Sequence, residues 1–108
     1  MPRQTRCRKV CCDYGNRQFR TENCRDIQRI TVEEVESLRL CDMEGLPQDI
    51  AAEMMEVSRG TFQRILYSAR KKVATALVEG DDLSIGGGHY EVTGTRCEGR
   101  RCCKKCRK

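Results

Sequence analysis

The stretch that most constrains the fold of this chain is residues 46–77, LPQDIAAEMMEVSRGTFQRILYSARKKVATAL. Its pattern predicts a short helix that carries Ala51 and Ala52 and stops near Val57, followed by a longer helix that begins at Ser58. Small residues are found where two helices touch closely, and a serine is a favoured N-cap. Together these features are typical of a helix-turn-helix, a unit whose docking on DNA has a known geometry.

Capping residues predict a further helix before this pair. Thr31 and Glu34 have the spacing of a capping box, in which each side chain bonds the backbone N–H of the other residue. The predicted helix covers residues 31–44 and ends at Gly45. Its apolar face is predicted to consist of Val32, Val35, Leu38 and Met43, with Leu40 and Cys41 beside it.

The two helices of the central stretch also have clear ends. Proline suits the first turn of a helix, so the shorter helix is predicted from about Pro47 to Met55. The longer helix is predicted from Ser58 to about Glu79, with Gly80 as its stop. Apolar residues recur along one side of it at helical spacing, at Phe62, Ile65, Leu66, Ala69, Val73, Ala76 and Leu77.

Outside the three predicted helices the chain shows little periodicity. Residues 1–25 form a basic, cysteine-rich segment, residues 26–80 the helical core, and residues 81–108 a second basic segment rich in cysteine. Two short strands, 83–85 and 90–92, flank three glycines, which predicts a β-hairpin. We therefore expect a mainly α fold, in which a three-helix helix-turn-helix core carries a short β-hairpin and largely irregular tails.

Charge is distributed unevenly along the chain. Residues 1–25 carry a net charge of +5, residues 26–57 carry −7, residues 58–80 carry +4, and residues 81–108 carry +3. The longer helix and both tails are thus positive, whereas the preceding helices are acidic. A basic face set against an acidic one suits a protein that binds DNA in a defined orientation. An ordinary solvated surface of mixed charge is the alternative interpretation.

The first turns of the longer helix carry side chains suited to DNA. Arginine can pair with O6 and N7 of guanine, and glutamine with N6 and N7 of adenine, so Arg59, Gln63 and Arg64 are predicted to contact bases. Hydroxyl groups and the helix N-terminus are predicted to hold phosphate oxygens. A helical hairpin of some other bundle, with these arginines as ordinary surface residues, is the alternative. The predicted DNA-binding residues are Ser58, Arg59, Gly60, Thr61, Gln63, Arg64 and Lys71.

Two blocks of the sequence, MPRQTRCRKVCC at the N-terminus and the segment TVEEVESLRL to GGGHYEV at residues 31–92, are those of a recognisable family. They resemble a group of small, uncharacterised predicted DNA-binding proteins of bacteria and archaea. The helix-turn-helix of that group is similar to region 4 of bacterial sigma factors, which contacts promoter DNA. The resemblance implies a three-helix core with a recognition helix from Ser58 to about Lys72. Pro47 and Gly60 depart from its pattern, since a serine cap and a bulkier residue are common there.

Nine cysteines are a large number for a chain of 108 residues. With no secretory signal to indicate a disulfide framework, the count favours metal ligation or redox chemistry. If the two tails meet, four thiolates can surround one zinc ion; an iron–sulfur cluster is a less favoured alternative, and reduced thiols on the tails are another. The predicted ligands are Cys7, Cys11, Cys103 and Cys106, with Cys12, Cys24, Cys97 and Cys102 as alternatives. Cys41 is instead predicted to be a small core residue.

The remaining features argue against catalysis and against a membrane. No cysteine has a histidine placed to activate it, and the glycine run lacks the lysine of a phosphate-binding loop. No apolar run approaches the ~20 residues of a membrane span, so we expect a cytoplasmic non-enzyme. The predicted function is sequence-specific DNA binding as a transcriptional regulator, with gating by metal or thiol state left open. A metal-binding or redox-sensing protein, or a sigma-like adaptor of RNA polymerase, is the alternative. Two-fold operators usually mirror a dimeric protein, which favours a homodimer.

Overall fold

A computed structural model describes residues 8–11, 14, 17–23, 25–88 and 90–92 of the chain. Within these residues there are three α-helices, one π-helical segment and five short strands. The helices are α1 (Val32–Leu38), α2 (Gln48–Met55) and α3 (Arg59–Glu79), and the π-helical segment is Arg39–Met43. The strands are β1 (Arg8–Val10), β2 (Arg17–Phe19), β3 (Ile27–Ile30), β4 (Asp82–Ile85) and β5 (Tyr90–Val92).

The start of α1 confirms the predicted capping box. The backbone N–H of Glu34 donates to the Thr31 hydroxyl oxygen at 3.2 Å, and the Thr31 N–H donates to the Glu34 carboxylate at 2.9 Å. Both bonds satisfy N–H groups that a helix start leaves without an intrahelical acceptor.

The segment predicted as a helix over residues 31–44 is helical, but its second half, Arg39–Met43, is a π-helix and not an α-helix. The N–H of Glu44 donates to the carbonyl of Arg39 at 2.8 Å, five residues back instead of four. Such a turn contains an extra residue and shifts the phase of every later side chain. Leu40 is therefore in the core at 1% exposure, and Met43, predicted to face inward, is 63% exposed.

The turn between α2 and α3 follows a Schellman arrangement. The N–H of Val57 donates to the carbonyl of Ala52 at 3.0 Å, and the N–H of Glu56 donates to the carbonyl of Glu53 at 3.0 Å. Glu56 has the left-handed backbone conformation that this motif requires, with φ at 58°. The turn redirects the chain within three residues, so that α2 and α3 pack against each other.

Small residues lie at the contact of α2 with the core, as the sequence predicted. Ala51 is fully buried and Ala52 is 3% exposed, and both belong to one cluster with Phe62 and Leu66 of α3. The predicted apolar side of α3 is confirmed except at its last turn. Leu77 is 77% exposed, whereas Ala76 beside it is 4% exposed.

The strands form two small sheets in place of the predicted hairpin. In the three-stranded sheet the order is β2-β4-β3, with β2 antiparallel and β3 parallel to β4. The second sheet pairs β1 with β5 in parallel. The strands predicted over 83–85 and 90–92 therefore exist, but each one pairs with a distant segment and not with the other.

The glycine run between β4 and β5 closes over the start of α1. The N–H of Val32 donates to the carbonyl of Gly87 at 3.2 Å. Gly88 has φ at 103°, and a Cβ there would lie 3.0 Å from Cβ of Thr31 and would collide with the carboxylate of Glu33. A tight hairpin turn is thus replaced by a close approach that only glycine permits.

The N-terminal segment, predicted to be irregular, supplies β1 and β2 and enters the core. Val10, Cys11 and Tyr14 are each less than 5% exposed. They lie in the same hydrophobic cluster as Ile30 and Ile85, so the core sits between the helices and both sheets. The last residues of the chain, 93–108, lie outside the described part. None of the described helices is long and apolar enough to cross a bilayer.

Candidate nucleic-acid interface

One side of α3 faces away from the core and carries most of the predicted DNA-binding residues. Gly60, Arg64, Tyr67 and Lys71 are spaced by three or four residues, so they follow one another along this side. Arg59 and Gln63 lie next to them in the first turns, and all six residues are exposed. We call this surface the α3 outer face.

The predicted phosphate-binding hydroxyls at the start of α3 lie together, but one of them is already engaged. The Ser58 hydroxyl oxygen accepts the N–H of Thr61 at 3.1 Å, and its hydrogen is donated to the Thr61 hydroxyl at 3.0 Å. Ser58 therefore acts as the helix cap. The Thr61 hydroxyl can therefore donate its hydrogen to an acceptor on a ligand. The first-turn N–H groups of Arg59 and Gly60 can do the same, because the start of a helix leaves them without an intrahelical acceptor.

Two of the basic residues of α3 are held by carboxylates. Lys72 lies 2.8 Å from Glu34, which also accepts the hydroxyl of Ser68 at 2.6 Å. Burial by itself raises the pKa of Glu34, but the hydrogen bonds from Lys72, Ser68 and the Thr31 backbone outweigh it and the pKa is lowered. This ionised group fastens the middle of α3 to the start of α1.

Arg70 forms the second ion pair and lies at the edge of the outer face. Its guanidinium donates to both carboxylate oxygens of Asp42, at 2.7 and 3.2 Å. The hydrogen bond to Asp42 raises the pKa of Arg70. The same guanidinium lies 5.9 Å from the centroid of the Tyr67 ring, and the Tyr67 hydroxyl accepts Nε2 of Gln63 at 3.1 Å. No sequence pattern indicates this arrangement, because Asp42 is distant from Arg70 along the chain.

The charges that remain on α3 are all positive. Arg59, Arg64 and Lys71 are exposed, and none forms an ion pair with a carboxylate of the described residues. Before Glu79 the helix contains no acidic residue at all. Within the described part of the chain, the outer face therefore presents three cations without an ion-pair partner over roughly 18 Å of helix, at 1.5 Å per residue.

A buried polar cluster under α1 was missed by the sequence analysis. The Glu36 carboxylate accepts the Tyr14 hydroxyl at 2.6 Å, the Cys11 N–H at 3.1 Å and the Arg39 Nε at 2.9 Å. Burial lowers the pKa of Arg39, but the hydrogen bonds and charge of Glu36 outweigh it and the pKa is raised. The cluster ties the N-terminal segment to α1. The i,i+3 spacing of Glu36 and Arg39 indicates an ion pair, but the sequence does not show that the pair is buried.

The structure describes two cysteines, Cys11 and Cys41. Cys11, a predicted metal ligand, is 3% exposed, and the parts of the chain that are described hold no group of three side chains suited to a metal ion. Cys41 is partly buried against the core, as predicted, and burial raises the pKa of its thiol. The other predicted ligands and alternatives lie outside the described residues, and these are Cys7, Cys12, Cys24, Cys97, Cys102, Cys103 and Cys106.

Comparison with known proteins identifies relatives over nearly the whole chain. A family profile described as "Protein of unknown function DUF134" matches residues 1–93. A UPF0251 protein of Ruminiclostridium cellulolyticum is 47% identical over 106 residues, which cover 97% of this chain and 80% of the relative. A UPF0251 protein of Thermoanaerobacter pseudethanolicus is 47% identical over 96 residues, covering 85% of this chain and 81% of the relative. No solved structure matches the chain.

Proposed function

We propose that this chain, which belongs to the DUF134 family of proteins of unknown function, is a sequence-specific DNA-binding transcriptional regulator. In this proposal α2 and α3 form a helix-turn-helix similar to region 4 of sigma factors, and α3 is the recognition helix. The observation that carries the proposal is the α3 outer face, where Arg59, Arg64 and Lys71 are exposed and form no ion pair with another described residue.

The connection between α2 and α3 supports this assignment. A helix-turn-helix joins a short first helix to the recognition helix by a turn of three or four residues. Here the three residues from Glu56 to Ser58 separate α2 from α3. The buried alanines of α2 allow the two helices to approach closely, which holds α3 at a fixed angle with its outer face in solvent.

The dimensions of the major groove assign the roles along α3. The groove is about 12 Å wide, so roughly the first two turns of a helix that enters it can reach base edges. These turns carry Arg59, Gln63 and Arg64. Lys71 lies about 10 Å beyond Arg64 along the helix axis, where the flanking phosphates pass. Thr61 and the first-turn N–H groups face phosphate at the helix start.

Acidic residues on α2 restrict how DNA can lie on this surface. Asp49 and Glu53 are exposed on α2, the helix that in this motif crosses the DNA backbone. Phosphates are repelled by carboxylates, so the duplex must lie along α3 and away from these two side chains. The acidic surface then sets the orientation and the basic one supplies the attraction.

The test is DNA binding with three matched variants. Wild-type protein is titrated into a fluorescent duplex selected from a randomised library, over a range of salt concentrations. Arg64→Ala removes a base contact and should weaken binding to the selected site by about 5- to 150-fold, the equivalent of ~1–3 kcal/mol. Lys71→Ala removes a phosphate contact and should lower the slope of log affinity against log salt by about one. Arg29→Ala removes the same charge from β3, on a different part of the surface, and is the control.

The outcome that refutes the proposal is an affinity near zero with a flat salt response. Equal losses for the Arg64 and Arg29 variants would show that total charge, and not the α3 outer face, attracts the DNA. A regulator of this kind acts on cytoplasmic DNA. Dimerisation on a two-fold site is a separate prediction, which light scattering with and without the selected duplex would check.

Gating by the cysteines remains an added hypothesis. The parallel pairing of β1 with β5 aligns Val10 with Val92. Val10 is directly followed by Cys11, and Val92 is the last described residue before the segment that contains Cys97, Cys102, Cys103 and Cys106. Replacement of Cys103 and Cys106 by serine should change DNA affinity if a bound zinc ion or a thiol pair controls α3, and unchanged affinity would remove the hypothesis. Elemental analysis of anaerobically purified protein measures the metal directly.

A further inference from the structure

A chain of contacts links Gln63 on the α3 outer face to the π-helical segment. Asp42 holds the Arg70 guanidinium with two hydrogen bonds, of 2.7 and 3.2 Å. The guanidinium lies against the Tyr67 ring, 5.9 Å from its centroid. The Tyr67 hydroxyl in turn accepts Nε2 of Gln63 at 3.1 Å. We call these four residues the Gln63 relay.

The relay contributes little to the stability of the fold. Asp42 and Arg70 are each more than 40% exposed, and Tyr67 is 50% exposed. Exposed ion pairs stabilise a protein by ~0–1 kcal/mol, because holding long side chains in one geometry costs entropy. Ordering a glutamine side chain costs up to about 2 kcal/mol. An ordered but exposed network is therefore better explained by binding, since side chains fixed in advance lower the entropy lost when a ligand is bound.

The bond to Tyr67 leaves Gln63 with a defined set of free hydrogen-bonding groups. A glutamine amide has two N–H donors and one carbonyl acceptor, and one N–H is used by the Tyr67 oxygen. One donor and one acceptor remain on the same planar group. That pair matches the N7 acceptor and the N6 donor which adenine displays in the major groove.

We propose that Tyr67 is a positioning residue that fixes the Gln63 amide to read adenine, so that one position of the target site is an A·T pair. Asp42 and Arg70 hold the tyrosine ring in place. The inference rests on the proposed function, because it requires α3 to enter the major groove. It adds the identity of one base and the residue that selects it.

The experiment compares base preferences after selection from a duplex library with a randomised centre. Wild type defines the preferred site, and Gln63→Ala identifies the position that Gln63 contacts by losing the preference there alone. Tyr67→Phe keeps the ring under Arg70 and removes only the hydroxyl. It should lower the adenine preference at that same position by about 2- to 12-fold, the equivalent of one net hydrogen bond. Preferences at the other positions of the site should stay unchanged, because the substitution removes only the hydroxyl that bonds Gln63.

Asp42→Asn gives a second and independent readout. It weakens the hold on Arg70, so the adenine preference at the Gln63 position should also fall. Affinity for every duplex should rise at the same time, because a negative charge near the DNA is removed. A general loss of structure would instead lower the affinity for all sequences, so it is distinguished both from a lower adenine preference and from a higher affinity for every duplex.

The outcomes separate this inference from the proposed function. If wild type selects no sequence and binds no duplex, the proposed function fails and the relay loses its role with it. If wild type selects a site and Tyr67→Phe leaves the preference at the Gln63 position intact, only the positioning role is overturned. A base other than adenine at that position would overturn the assignment of the base.

Discussion

Replacing Glu56 by glycine should make this protein more stable. Glu56 is the residue between α2 and α3 whose backbone is left-handed, with φ at 58°. Its N–H and that of Val57 satisfy the carbonyls at the end of α2, so the conformation is imposed by the turn. Glycine adopts it without the clash between Cβ and the carbonyl that an L-residue suffers.

The expected size follows from two opposing terms. Relief of the left-handed conformation stabilises the folded state by roughly 1–2 kcal/mol. The greater freedom of glycine in the unfolded chain costs about 0.4–1 kcal/mol. The Glu56 side chain is exposed, so no packing is lost. The net gain is about 0.5–1 kcal/mol, which raises the melting temperature of a small domain by roughly 2–8 °C.

The assay is thermal and urea unfolding followed by circular dichroism. Glu56→Gln removes the charge but keeps the strained backbone, and should leave the stability near that of wild type. Glu53→Gly introduces the same two changes, loss of charge and gain of glycine, inside α2, and should destabilise the protein by about 1 kcal/mol. If Glu56→Gly is no more stable than wild type, or loses as much stability as Glu53→Gly, the argument from backbone strain is wrong.

Two further substitutions test contacts made at the start of α1. Lys72→Met leaves the buried Glu34 carboxylate without its cation and should destabilise the protein by ~1 kcal/mol at neutral pH. The pKa of Glu34 is lowered in the folded state, so its ionised form stabilises the fold above the unfolded pKa, and this contribution is lost as the pH falls through the folded pKa. The loss of stability in Lys72→Met should therefore shrink in urea titrations below about pH 4. An equal loss at both pH values would contradict the ion pair, and Lys71→Met is the exposed control. Gly88→Ala places a methyl group against Thr31 and Glu33 at a positive φ and should destabilise by about 1–3 kcal/mol. A Cβ at Gly86 meets no atom of the described residues within 4 Å, so Gly86→Ala should stay within about 0.5 kcal/mol of wild type. Similar unfolding curves for the two alanine variants would refute the close approach.

The candidate interface was partly accessible from the sequence. Helical spacing alone places Gly60, Arg64 and Lys71 on one side of α3, and the apolar residues on the other side identify it as the outer one. The sequence could not show that Arg70 and Lys72 are paired, since their partners lie in α1 and the π-helical segment. Only the folded chain distinguishes the charges that remain available to a ligand from those already neutralised.

Tyr67 shows the same limit for a single side chain. Its position on the outer face follows from periodicity, but its contact with Gln63 depends on a ring orientation held by Arg70. The Arg70 guanidinium is in turn bonded by Asp42, which lies in the π-helical segment. The base preference proposed for Gln63 therefore rests on a local irregularity, the π-helical segment, that no short sequence pattern predicts.

The features that could be predicted from local sequence are those whose causes lie within about four residues. The capping box at Thr31, the serine cap at Ser58 and the glycine stop at Gly80 were predicted and are present, because a cap bonds its own first or last turn. The tertiary structure alone decided the pairing of β1 with β5 and of β4 with β2 and β3, and the burial of Glu36 among Tyr14, Cys11 and Arg39. Short strands carry too few side chains to specify a partner, and a buried carboxylate is stable only where distant donors meet it. Both depend on which segments are brought together when the core closes.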